Sequence, residues 1–448
     1  GLVKAASGLR AAGGRPGRRP RPAGGAEGVK PRGASKSNGA AALPGASTGL
    51  VDRAMPSSPR AMPVRLLACA AAIGAAAAGA AQVRPEVGAD PYTNGDPAAL
   101  ARAGYVRFGP FPFGTGHTTE DVDELLGTEP LIWIETAHFR LGCALPAVRL
   151  ARDPELGATW TTAVHRELAE LRKALPEVPR RPRMLDPWLR AHLFARRLEA
   201  LYAEVADHLD VADGAGPAPS WQDGSGPYLG MREKFAVLLL QTKASHARYT
   251  RAWHGVEMDD PIRLHDAAFD CMYWGGSEET SDGLLARDLA MHAHVVFNVA
   301  HNLYSGYRGY RRALPAWLVT GLGHWHARRV SPRFPAYDRR DDRDRAARSP
   351  FWQWDDRVRG LVEHDVFEPL SVLAGRADAG AFGLEQHMQA WAVVDHLAAS
   401  RPAATFHFVR LCKQSGLARD DAFEQAFGCT LDEIDASWRG AVLAAKRR

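Results

Sequence analysis

Cysteine is scarce in this 448-residue chain, five residues in all, and no Cys-x-x-Cys pair occurs among them. That removes the cysteine-based zinc sites, which need two thiolates at such a spacing. No internal repeat is visible, which excludes a solenoid or propeller. Aromatic residues are absent from positions 1–61, and methionine is absent before Met55. So little apolar surface cannot offset the entropy of ordering a chain, so this stretch is expected to be disordered. It holds 11 Lys and Arg against only Glu27 and Asp52, a net +9, so the total of +5 leaves −4 for the remainder. The basic pI therefore belongs to the tail, and a nucleic-acid-binding fold is not indicated. Met62 can serve as an initiator, in which case residues 1–61 are upstream sequence and not native protein.

What is present begins at that methionine. Met62-Pro63-Val64-Arg65, a small-residue apolar run over 66–81 and an Ala-x-Ala-like end at Ala78-Gly79-Ala80 make the succession of a secretory signal peptide. The run is too short and too rich in Ala and Gly for a membrane span. The expectation is a mature chain from Gln82, secreted or periplasmic. Leu66-Leu67-Ala68-Cys69 lacks an apolar run before the cysteine, so no lipid anchor is expected. In an oxidising compartment the four later cysteines, Cys143, Cys271, Cys412 and Cys429, are compatible with two disulfides in any of three pairings. Closing Cys412 onto Cys429 would add about 3 kcal/mol in the chain-entropy model. Free buried thiols are the alternative in a domain with its own core.

Apolar periodicity gives an α+β chain. Residues 131–141 suggest a strand, 160–175 a helix, and Phe235–Leu240 a buried strand. Asp186-Pro187 is a helix start, cap then first-turn proline, for a helix reaching about Leu209. Residues 214–227 are turn-forming. Ala267–Trp274 reads as a strand broken by Gly275-Gly276, and 339–348 as a solvated loop of alternating Arg and Asp. Further amphipathic helices are expected over 386–397, 423–427 and 431–439. The organisation expected is a region at 82–230, a core at 231–345 and a helical part at 346–448.

The organising stretch is 284–328. Leu285, Leu289, His292, Val296, Val299 and Leu303 recur at helical steps. After a Tyr- and Gly-rich link, Leu314-Pro315 opens a second helix, with Pro315 at the first-turn position where its missing N–H costs nothing and Trp317, Leu318 and Leu322 on the apolar face. Phe297-Asn298-Val299-Ala300-His301, an 18-residue spacer and Pro315-Ala316-Trp317-Leu318-Val319-Thr320-Gly321 have the frame of a known site. This stretch resembles the gluzincin zinc peptidases, in which His-Glu-x-x-His on one helix is followed by a Glu on the next, within Pro-x-Trp-x-x-Glu-Gly. The resemblance covers 269–439, including the Phe427-Gly428 turn and the Trp438-Arg439 helix. It implies a thermolysin-like scaffold with a small sheet, a mainly helical C-terminal part, and an edge strand near Trp274 that pairs with an extended peptide or protein.

The resemblance also implies roles, and the chemistry departs from them. Histidines at i and i+4 with a carboxylate hold Zn²⁺, and the motif's Glu takes a proton from the metal-bound water. Here Phe297 stands for the first histidine, Asn298 for the general base and Thr320 for the glutamate ligand. Only His301 survives. The expected function is a secreted pseudopeptidase that needs no cofactor, with no confident catalytic residue. Two alternatives stay open: a zinc-dependent hydrolase with a non-standard site around His301 and His324, and an interaction protein with a closed cleft. His292, His294 and His326 also lie in these helices, but His294 and His301 are two turns apart, about 10.5 Å, too far for one ion. Tyr304, Tyr307 and Tyr310 are candidate cleft residues. No membrane span and no nucleic-acid partner are expected.

Overall fold

The computed structural model describes residues 88–445 apart from 128, 151–158, 212–226, 335, 338–352 and 415. The expected tail, the leader, the start of the mature chain, nearly all of the 214–227 turn and the Arg/Asp loop at 339–348 lie outside the described residues.

A six-stranded mixed sheet carries the fold, in the order β1-β4-β5-β8-β10-β9. The strands are β1 (Tyr105–Phe108), β4 (Ile132–Thr136), β5 (Phe139–Cys143), β8 (Phe235–Leu240), β9 (Ile262–Asp266) and β10 (Cys271–Ser277). Short pairs β2 (Pro112–Gly114) with β3 (His117–Thr118), and β6 (Val148–Arg149) with β7 (Met184–Leu185), flank it. Strand β8 is parallel to both neighbours, β5 and β10, and the outer pairings are antiparallel. Its sequence Phe-Ala-Val-Leu-Leu-Leu is apolar throughout because both faces are covered. Phe235, Val237 and Leu239 enter the main core, whereas Ala236, Leu238 and Leu240 enter a second core beneath Phe111, Phe113 and Tyr249. Burying each of the larger side chains stabilises the fold by about 2 kcal/mol.

Helices follow in chain order: α1 (Pro97–Arg102), α2 (Thr119–Leu126), α3 (Thr159–Ala174), α4 (Pro187–His208), α5 (Lys243–His254), α6 (Asp288–Gly306), α7 (Ala316–Val330), α8 (Trp354–Glu363), α9 (Leu370–Gly375), α10 (Leu384–Ser400), α11 (Pro402–Cys412), α12 (Arg419–Phe427) and α13 (Leu431–Ala444). Asp186 accepts from the Leu189 N–H ahead of Pro187, which is the expected cap of α4. Thr430 and Glu433 close a capping box on α13, and Gly428, at φ 64°, ends α12 in the left-handed region that glycine tolerates. The protein is thus mixed α and β, with the C-terminal region helical. The main core runs from Tyr105 to Trp438 and contains α4, α6, α7 and α10 side chains packed on one sheet face.

Four expectations are corrected, and of the two cysteine states left open one is found. Residues 131–141 form two antiparallel strands, β4 and β5, because Ala137-His138 turns the chain between them. The strand near Trp274 is not an edge: β10 lies between β8 and β9, Trp274 pairs with Val237 and Arg263, and its side chain is fully buried. The strand also runs through Gly275 and Gly276, since a Cβ at Gly275 would lie 1.9 Å from the Tyr273 hydroxyl, a space only glycine leaves open. Pro315 is the N-cap of α7 and not its first residue. All four cysteines are free thiols. Cys143 and Cys271 belong to cores on opposite faces of the sheet, which rules out a bridge between them.

Candidate functional site

Helices α6 and α7 pack against each other above the sheet, and the positions singled out in the sequence meet at their contact. The Phe297 ring is fully buried, with its centroid 4.5 Å from that of His324. Gly323 permits this approach, because a Cβ there would stand 3.1 Å from the Phe297 ring. From edge strand β9, the Arg263 guanidinium lies 5.7 Å from the Phe297 centroid, within cation–π range. The same Arg263 donates from Nη1 to Asn298 Oδ1 at 2.6 Å, while Asn298 Nδ2 donates to the His294 carbonyl at 2.8 Å. Asn298 is therefore held on both sides, with its acceptor facing a cation.

His301 is half-buried, and its Nδ1 shares a hydrogen bond with Ser305 Oγ at 3.3 Å. The Thr320 hydroxyl is buried and has no hydrogen-bond partner among the described residues. His324 is hydrogen-bonded to a third helix. Its Nε2 meets His387 Nδ1 of α10 at 2.9 Å, one ring donating and the other accepting. Trp354 packs edge-on at 4.9 Å. Burial, then the fields of His387, Arg328, His301 and Arg263, push the His324 pKa well below the usual histidine value, so the ring is neutral.

These donors do not fit a zinc ion. Phe297 offers a phenyl ring, Thr320 a hydroxyl, and the His324 imidazole is engaged by a third helix. Among the described residues no three His, Cys, Asp or Glu side chains come together to hold a metal. General-base chemistry is also lacking at Asn298, since an amide accepting from a guanidinium cannot take up a proton.

The N-terminus of α6 is fixed by buried charges. Asp288 Oδ2 accepts from Arg197 Nη2 at 2.9 Å, and Arg197 also bonds Glu167 of α3 at 2.7 Å. Burial raises the Asp288 pKa while the guanidiniums of Arg197 and Arg190 lower it further, and the net is below the ordinary value, so the pair stays ionised. Arg190, fully buried, donates to Glu278 Oε1 and to the Pro146 carbonyl, both at 2.7 Å. These bonds join α3, α4, the end of β10 and α6 into one rigid mount.

The candidate cleft tyrosines separate. Tyr304 and Tyr307 are core residues, Tyr304 bonded to His326 at 3.1 Å and to His208 at 3.1 Å, whereas Tyr310 stacks on His265 of β9 at 4.6 Å. His292 is half-buried beside Phe194, and His294 lies 6.2 Å from Trp274. Sequence reasoning missed Arg263 and His387. Arg263 sits in the alternating run Ile262-Arg263-Leu264-His265, a strand signal that marks it as an edge residue. His387 has no such signal within its helix.

No family model matches the chain, and neither the curated proteins nor the solved structures contain a match.

Proposed function

We propose that this protein is an exported, non-hydrolytic relative of the gluzincin peptidases that holds an extended peptide or protein segment along β9. The observation that carries the reading is the Arg263–Asn298 hydrogen bond over the Phe297 ring. At the positions where the frame calls for a metal ligand and a base, this chain has a plug tied to the edge strand. Strand β9 ends the sheet and is half-buried along its whole length, so it offers ladder groups to an added strand. The thermolysin-like scaffold is part of this proposal and rests on the helix pair lying against a mixed sheet. Export rests on the leader-like run at 62–81. Among the described residues no helix is long and apolar enough to cross a membrane.

The test is hydrogen exchange of the full chain with and without a pool of unstructured peptides, followed by mass spectrometry of the peptides. The expected result is slowed exchange over 262–266 with every peptide recovered intact. Cleavage would overturn the reading. A second reading, an interaction protein with a closed cleft, is favoured by the complete burial of Phe297, Thr320 and His324. It predicts no change in exchange over 262–266.

A further inference from the structure

Away from the helix pair, a concavity of about 390 Å³ opens between α3 and the chain that follows it, lined by His165, Arg166, Ala169, Arg172, Arg180 and Arg181. His165, Arg166, Ala169 and Arg172 are spaced to share one face of α3, and Arg180 and Arg181 approach from the turn beyond its C-terminus. Four arginines thus line one space. Neither carboxylate of α3 serves them: Glu167 is taken by Arg197 at 2.7 Å, and Glu170 by Lys173 at 2.6 Å. None of the four arginines forms an ion pair with a described residue. His165 lines the same space, and its Nε2 is buried with no hydrogen-bond partner among the described residues.

We propose that this concavity binds a multiply charged oxyanion, a phosphate or sulfate ester. Like charges gathered without a counter-charge repel one another, and a ligand of opposite sign relieves that repulsion. Guanidinium groups suit tetrahedral oxyanions because their planar forks donate two parallel N–H bonds to one anion, which an ammonium cannot do. The volume lies in the range of small-ligand sites and exceeds what one inorganic phosphate fills, so the ligand carries more than one anionic group or an organic portion. Ala169 and the apolar stems of the arginine side chains offer contact to such a portion. This site is independent of β9 and the helix pair, so its test does not bear on the peptide-holding proposal.

Calorimetric titration of the full chain with sodium tripolyphosphate tests it. The basic segment at 1–61 will attract phosphate as well, so the informative quantity is the difference between variants that all retain it. The double variant Arg172→Ala with Arg181→Ala is expected to lose about a hundredfold in affinity, about tenfold for each charge-assisted contact removed. A control with the same loss of charge at exposed positions elsewhere, Arg251→Ala with Arg376→Ala, is expected to bind as the unaltered chain does. Because the altered side chains lie on the surface, both variants are expected to keep the unaltered far-ultraviolet circular dichroism. Co-sedimentation with phosphatidylcholine vesicles containing phosphatidic acid separates the sources. Binding lost in the double variant and displaced by tripolyphosphate identifies a lipid-borne phosphate, and tripolyphosphate binding alone identifies a soluble one. Equal affinity of the double variant and the unaltered chain, or an equal loss in the control, would overturn the proposal.

Discussion

Rebuilding the zinc site is the sharpest test of the helix frame. Phe297→His with Thr320→Glu, joined by His301, would supply three protein ligands across α6 and α7. The apo variant pays first. Phe297 is fully buried against His324 and Gly323, so losing its ring contacts costs about 3 kcal/mol. A carboxyl at 320 enters a site that is fully enclosed and already leaves a hydroxyl unpartnered, which adds about 1–3 kcal/mol. The metal-free double variant should therefore be less stable than the parent by about 4–6 kcal/mol. Zinc at a thousand times its dissociation constant restores about 4 kcal/mol. The assay is thermal unfolding with and without zinc, for the double variant and each single one, together with metal content after dialysis. A midpoint that zinc raises only in the double variant supports the frame. If the folded double variant holds zinc no better than either single one, positions 297, 301 and 320 do not converge, and the gluzincin resemblance must be dropped.

Three further outcomes are expected. Gly321→Ala places a Cβ 2.4 Å from the Ala390 carbonyl oxygen, a backbone atom that cannot step aside, so α7 and α10 must separate and denaturant unfolding should show a loss of about 2–3 kcal/mol. Asp288→Ala leaves Arg197 and Arg190 without their buried partner and should cost about 3–5 kcal/mol in the same measurement, whereas Lys173→Ala, at an exposed pair, should cost less than about 1 kcal/mol. Burial holds the His246 pKa down at about 4, against 6.5 when unfolded, so its contribution is complete above pH 6.5 and is lost as pH falls towards 4. For this fully enclosed ring the loss is about 2 kcal/mol by pH 5, and His246→Gln should flatten the stability profile between pH 6.5 and 4 in urea titrations.

Local chemistry made much of this fold legible. Asp186-Pro187 fixed the start of α4 because a side-chain acceptor and a residue without an N–H suit the first turn whatever packs around it. The run Phe235–Leu240 could only be a strand covered on both sides. The helical spacing over 285–303 and the departures at Phe297, Asn298 and Thr320 were likewise visible, since they depend on residue type and interval alone. Strand order was not legible: the hairpin at Ala137-His138 and the insertion of β10 between β8 and β9 depend on partners remote in sequence. The site was half legible for the same reason. Sequence placed His301 and His324 near one another, but only the approach of α10, some sixty residues on, gave His324 its partner in His387, and only the edge strand brought Arg263 to Asn298. A helix period tells which side chains share a face, and tertiary packing decides what meets them there.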